Sequence, residues 1–156
     1  MIETVLKRIS DAPYTNQVTS LRDRQSLRQQ LVELRARMTP ERATNALAVY
    51  REAVARRPDD FRLHENFGEF LEAVNQVPEA ISQWSAVRDL IPHHFAAYLN
   101  LGRLLIRSGR WNEARTNLEK GLRLEPRSIE GHLDLAQVLA SQGDWPAAAA
   151  EYASTL

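Results

Sequence analysis

Prolines stand at Pro58, Pro92 and Pro126, and both gaps (92 − 58 and 126 − 92) are 34 residues. The same step relates Ala46, Ala80, Ala114 and Ala148, and it relates Phe67-Gly68, Leu101-Gly102 and Leu135-Ala136. Three register marks on one period confine the chain to a small class of architectures. A period of this length suits stacked helix–turn–helix units, each too small to bury its apolar face alone and each covered by its neighbours.

The remaining pattern agrees with helices. Helices are expected over 40–57, 61–74, 78–90, 95–108, 112–124, 129–142 and about 146–156. Apolar and small residues recur in them at three- and four-residue spacing, as in Phe67, Gly68 and Leu71, or Ala80, Trp84 and Val87. Gly68, Gly102 and Ala136 are small where two helices of one hairpin cross closely, and Ala80, Ala114 and Ala148 answer them on the partner helix. Gly109 and Gly143 suit a left-handed cap at the end of the first helix of a unit. Each repeating proline falls where the second helix must stop. Further upstream, a helix is expected over about Ile2–Ile9. A second carries the stripe Leu27, Leu31, Leu34, Met38 and the basic residues Arg22, Arg24, Arg28, Arg35 and Arg37. The latter read as a solvated face.

Composition removes several function classes. Twenty basic and twenty acidic residues leave no net charge, so a whole-chain electrostatic case for nucleic acid or an anionic membrane is absent. Without cysteine there is no disulfide framework, thiolate metal site or Cys nucleophile. No segment has the roughly 18 to 20 apolar residues of a membrane span, and the start Met1–Arg8 lacks the pattern of a signal peptide. The compartment stays open. Charge is nonetheless blocked: residues 58–94 hold 2 basic against 7 acidic side chains, and residues 95–128 hold 7 against 3. Neighbouring blocks of opposite sign support stacking in register, or else give a groove whose potential changes sign along its length.

The positions His64, Phe67, Gly68, Leu71, Ala80, Trp84 and Pro92 resemble the tetratricopeptide repeat pattern. So do Tyr98, Leu101, Gly102, Leu105, Ala114, Leu118 and Pro126, and then His132, Leu135, Ala136, Leu139, Ala148 and Tyr152. Ala46, Tyr50 and Pro58 match the second half of a preceding unit. The resemblance implies an all-α, right-handed α-solenoid of stacked antiparallel helix pairs. It divides the chain into an N-terminal cap or junction (1–39), half of a divergent repeat (40–60), repeats at 61–94 and 95–128, and a repeat cut short at its C-terminus (129–156). Tyr152 would then face an uncovered end. The chain is accordingly expected to be a fragment of a longer array, or else to pair with another subunit through that end.

No catalytic set emerges. His64 and His132 hold a packing position, His93-His94 fall in a turn with no metal-ligand spacing and are expected on the loop surface, and Trp84, Trp111 and Trp145 keep repeat register and read as architecture. No enzyme activity, cofactor or metal is expected. In the family the first helix of each unit lines a concave groove that holds partner peptides. The corresponding positions are Glu65, Asn66 and Glu69, then Leu99, Asn100, Arg103, Ile106 and Arg107, then Leu133, Asp134 and Gln137. Asn66 and Asn100 stand one period apart and could hold a peptide backbone. Leu99, Ile106 and Leu133 would supply apolar contact. Some family members clamp the C-terminal carboxylate of chaperones with basic and Asn side chains. Glu65, Glu69, Glu130 and Asp134 stand at the places such a clamp needs, which argues against an acidic tail. The expectation is a non-catalytic protein-interaction module taking a partner peptide or helix, with no nucleic acid and no membrane. Its alternative is a self-associating or structural assembly arm of a larger multidomain protein.

Overall fold

The computed structural model describes residues 39–156, which hold seven helices and no strand. The two upstream helices expected from the sequence, and the basic face of the second, lie outside the described residues. The chain divides into two compact units, Met1–Arg56 and Arg57–Leu156. The described part of the first is helix α1 (Pro40–Arg56), with Ala46 and Tyr50 buried at i, i+4 on one face. Thr39 closes its start: its Oγ1 accepts from the Arg42 N–H at 3.3 Å.

The second unit is three helical hairpins: α2 (Phe61–Ala73) with α3 (Val77–Leu90), α4 (Phe95–Arg107) with α5 (Trp111–Leu124), and α6 (Ile129–Ser141) with α7 (Trp145–Ala153). Each helix packs on its hairpin partner, α3 also meets α4, α5 meets α6, and α4 touches α6 directly. The order of packing is that of a solenoid whose first helices share one face.

Local chemistry fixes each boundary. Asp60, Ser128 and Asp144 cap α2, α6 and α7, accepting from the backbone N–H of Leu63 (3.2 Å), Gly131 (3.1 Å) and Ala147 (3.2 Å). Helices α3, α5 and α7 each begin one residue before the start read from the sequence, at Val77, Trp111 and Trp145. The reason is that first-turn N–H groups have no intrahelical acceptor, so Pro78 and Pro146 are as acceptable at the second helical position as at the first. Helix α7 ends at Ala153 instead of running on to residue 156, and Ser154 Oγ caps it by donating to the Ala150 carbonyl at 3.1 Å. Inside each hairpin the turn passes through a left-handed residue at one repeat position: Asn75 (φ 61°), Gly109 (φ 70°) and Gly143 (φ 81°).

The core is where the small residues were expected. A Cβ on Gly68 would stand 2.8 Å from Trp84 Nε1, and one on Gly102 would stand 2.5 Å from both Cγ and Cδ2 of Leu118. Trp84 and Leu118 are fully enclosed there. At about 1.5–3 kcal/mol each, such side chains supply most of the stabilisation of a hairpin that could not stand alone. In the last unit Ala136 replaces the glycine, and Tyr152, the counterpart of Trp84 and Leu118, remains 47% exposed.

The first large position of each unit carries a bond that the sequence did not disclose. His64 Nε2, Tyr98 Oη and His132 Nε2 lie 2.8, 3.0 and 3.0 Å from the carbonyl oxygens of Pro58, Pro92 and Pro126, six residues before each. The repeating proline therefore does more than stop a helix. Its carbonyl is the acceptor that ties the next helix to the turn before it.

Candidate partner-binding face

Helices α2, α4 and α6 bring the expected groove residues to one side of the second unit, but not all of them to its surface. Ile106 is buried, and Leu99 is wedged between hairpins: a Cβ on Gly121 would come within 2.6 Å of its Cδ2, and one on Gly131 within 3.0 Å. Ile106 departs from the expectation that it would face a partner, while Leu99 is half-buried against α5 and α6. Leu133, one period beyond Leu99, is 41% exposed, and Gln137 is also exposed. Asn66 is half-buried.

The charged residues form a connected set. Arg103 on α4 donates to Glu72 Oε2 on α2 at 2.9 Å and to Asn100 Oδ1 at 2.8 Å. Glu72 Oε1 in turn accepts from Trp84 Nε1 at 3.0 Å, so the bond that crosses between units is anchored to the core. Arg107 donates to Asn75 Oδ1 at 2.6 Å, again between units. Asn100 is thus a support for Arg103, a role its spacing from Asn66 did not signal.

Glu65 pairs with His94 across 2.9 Å. His94 is not a loop-surface residue: its ring lies between Phe61 and Phe95 at centroid distances of 6.1 and 6.5 Å, and only His93 faces solvent. The Glu65 bond raises the His94 pKa, against the lowering effect of burial.

Glu69 and Asp134 are the strained members. Glu69 is an exposed residue, yet partial desolvation by the surrounding protein, with repulsion from Glu65 and Glu72, pushes its carboxyl up to about 6 against the pull of Arg103. Burial likewise raises Asp134, with Arg103 opposing and Glu130 adding. Arg103 is the cation whose charge reaches both, and it is already bonded to Glu72 and Asn100. Across the face, Glu65, Glu69, Glu72, Glu130 and Asp134 stand against Arg103 and Arg107, an excess of negative charge.

The tryptophans divide: Trp84 is enclosed in the core, Trp111 is half-buried, and Trp145 at the start of α7 is 68% exposed. Among the described residues no group of three metal-ligating side chains comes together, and no helix is long and apolar enough to cross a membrane.

Solved structures share this architecture. A structure titled "Crystal structure of MamA" superposes with a TM-score of 0.69 at 18% identity, over 74% of this chain and 67% of that one. "MamA 41-end from Desulfovibrio magneticus RS-1" gives 0.67 at 22% identity, over 72% and 64%. The chain therefore spans about two thirds of the length of these structures, and at such identities the likeness is one of fold. No curated protein matches the sequence. A family model described as tetratricopeptide repeat matches residues 31–87 and 99–156, most of the chain. With the 34-residue register, the paired helices and the small residues at their crossings, this match supports a protein-interaction or scaffold module and makes the chain a member of the tetratricopeptide repeat family.

Proposed function

We propose that the second unit is a non-catalytic interaction module whose α2–α4–α6 face holds a partner segment bearing basic side chains. The observation that carries this reading is the excess of carboxylates around Glu69, which together with desolvation pushes its carboxyl up to about 6 even against the pull of Arg103. A lysine or arginine from a partner relieves that repulsion, so the cost is already present in the free protein and binding removes it. Leu133 offers apolar contact at the α6 end of the face. An acidic tail meets Glu65, Glu69, Glu130 and Asp134 and is repelled, which argues against a chaperone carboxylate as ligand. Nucleic acid is disfavoured on the same ground.

The test is a fluorescence titration with a labelled Lys/Leu peptide and a matched Glu/Leu peptide. The basic peptide binds and weakens with salt, and the acidic one does not bind. Replacing Glu65 and Glu69 by lysine reverses the preference. Binding of the basic peptide that survives this double replacement unchanged overturns the assignment.

A second reading rests on a different observation. Ile129, Leu133, Trp145 and Tyr152 are exposed large apolar residues on α6 and α7, while Leu99, one period before Leu133, is covered by the next unit. This favours self-association or assembly through the α6–α7 surface. Light scattering over a concentration series separates the two, because the first reading needs only a monomer.

A further inference from the structure

The three bonds to proline carbonyls look alike but differ in how many protons they need. Tyr98 Oη has one proton and gives it to the Pro92 carbonyl. His64 sits between the Pro58 carbonyl at 2.8 Å and Gln83 Oε1 at 2.7 Å. An amide can turn to present its NH2, so a neutral ring satisfies both contacts, with Nε2–H donating to the carbonyl and Nδ1 accepting from Gln83. At His132 the amide is replaced: Nε2 faces the Pro126 carbonyl at 3.0 Å and Nδ1 faces Glu151 Oε2 at 2.6 Å. Glu151 holds the same repeat position as Gln83, two periods on (151 − 83 = 68).

A carbonyl and a carboxylate are both acceptors, and a neutral imidazole carries one N–H. Both contacts can be made only if the His132–Glu151 pair holds one proton more than a neutral ring beside a carboxylate. That extra proton is part of the geometry, and placed on Nδ1 it makes the ring an imidazolium. We propose that His132 is a protonation-dependent latch: charged, it joins α6 to α7 and to the Pro126 turn, and on losing its proton it must release one of the two. The direction of titration agrees, since the Glu151 bond and then the Pro126 carbonyl raise the His132 pKa above the ordinary 6.5, against a lowering by burial.

The surroundings leave the latch to this pair. The charged group facing the ring from α7 is Glu151. From the turn it meets the Pro126 carbonyl; Arg127 and Glu130 are exposed, and the Glu125 carboxylate accepts from the Arg127 N–H. Helix α5 meets α6 through Leu122 against Gly131. Because the folded-state pKa is raised, the latch is fully engaged below the unfolded value of about 6.5 and is lost as pH rises through the folded value. It does not depend on what the α2–α4–α6 face binds.

The test is hydrogen exchange of the full chain across that pH range, corrected for intrinsic rates, together with nitrogen NMR of the imidazoles. In the parent protein, protection over 129–153 falls by about tenfold as His132 loses its proton, the scale of one charge-assisted bond, while protection over 61–124 holds. The Glu151→Gln variant recreates the His64 arrangement and should show no such fall. His132→Tyr recreates the Tyr98 arrangement and should keep the hairpin protected throughout, so a variant that folds poorly leaves the other to decide. The proposal is overturned if Glu151→Gln and the parent share one pH dependence, or if the His132 ring is neutral below about pH 6.5 with the hairpin fully protected.

Discussion

At the residue scale the decisive features are contacts made by side chains whose positions the sequence marked but whose partners it did not. Gly102 was legible: a small residue in register with Gly68, at a helix crossing. The structure supplies the reason, a Leu118 branch point 2.5 Å from where its Cβ would be. Gly102→Ala should therefore destabilise the fold by about 2 kcal/mol, read as a lowered midpoint in urea unfolding, with the loss eased by the double variant Gly102→Ala/Leu118→Ala relative to Leu118→Ala alone. Glu69 is the opposite case. Its carboxyl is pushed up to about 6, so the folded state binds a proton more tightly than the unfolded chain and is penalised above pH 4.5. Glu69→Gln should raise Tm at neutral pH, the gain should vanish on acidification, and the variant should bind the basic peptide more weakly. Nothing in the sequence distinguishes Glu69 from Glu65. The difference is that His94 comes to Glu65 across the hairpin stack, and such a partner is visible only in three dimensions.

At the element scale the period was the informative signal, and it located all seven described helices. Their ends were read less well because caps depend on backbone geometry that several residue types can satisfy. The left-handed position shows this: two glycines identify it at 109 and 143, while Asn75 does the same work in the first hairpin of the second unit. Asn tolerates that conformation and also accepts from Arg107, so it cannot be recognised by composition alone. Gly143→Ala should cost about 1 kcal/mol by forcing a β-carbon into the left-handed region with no clash to explain it, measurable as a drop in Tm. The groove was only half legible for a related reason. Helical periodicity separates one face of a helix from the other, but Leu99 lies on the flank, and whether a flank is open depends on how closely the next hairpin approaches.

At the scale of the second unit the titrating groups act in the same direction. His94, His132, Glu69 and Asp134 all have raised pKa values, so each takes up protons on folding, the carboxyls in the acid range and the histidines from about 6.5 upward. Thermal unfolding should accordingly give a higher Tm near pH 5.5 than near about pH 8, by a few degrees. Glu113, whose value is lowered by Arg110, opposes this only at more acid pH. The two kinds of polar bond also bear on how such an array can change over generations. The ties from His64, Tyr98 and His132 each reach back six residues to the proline that ends the preceding repeat, and a 34-residue repeat carries both halves, so copying one supplies the tie again at the new junction. The Arg103–Glu72 bond crosses the seam between two particular units and occurs at no other seam of the described residues in that form. Duplication would leave the proline ties working, because every junction rebuilds them, whereas shuffling would break the Arg103–Glu72 bond, so that seam records the order in which these units must stand.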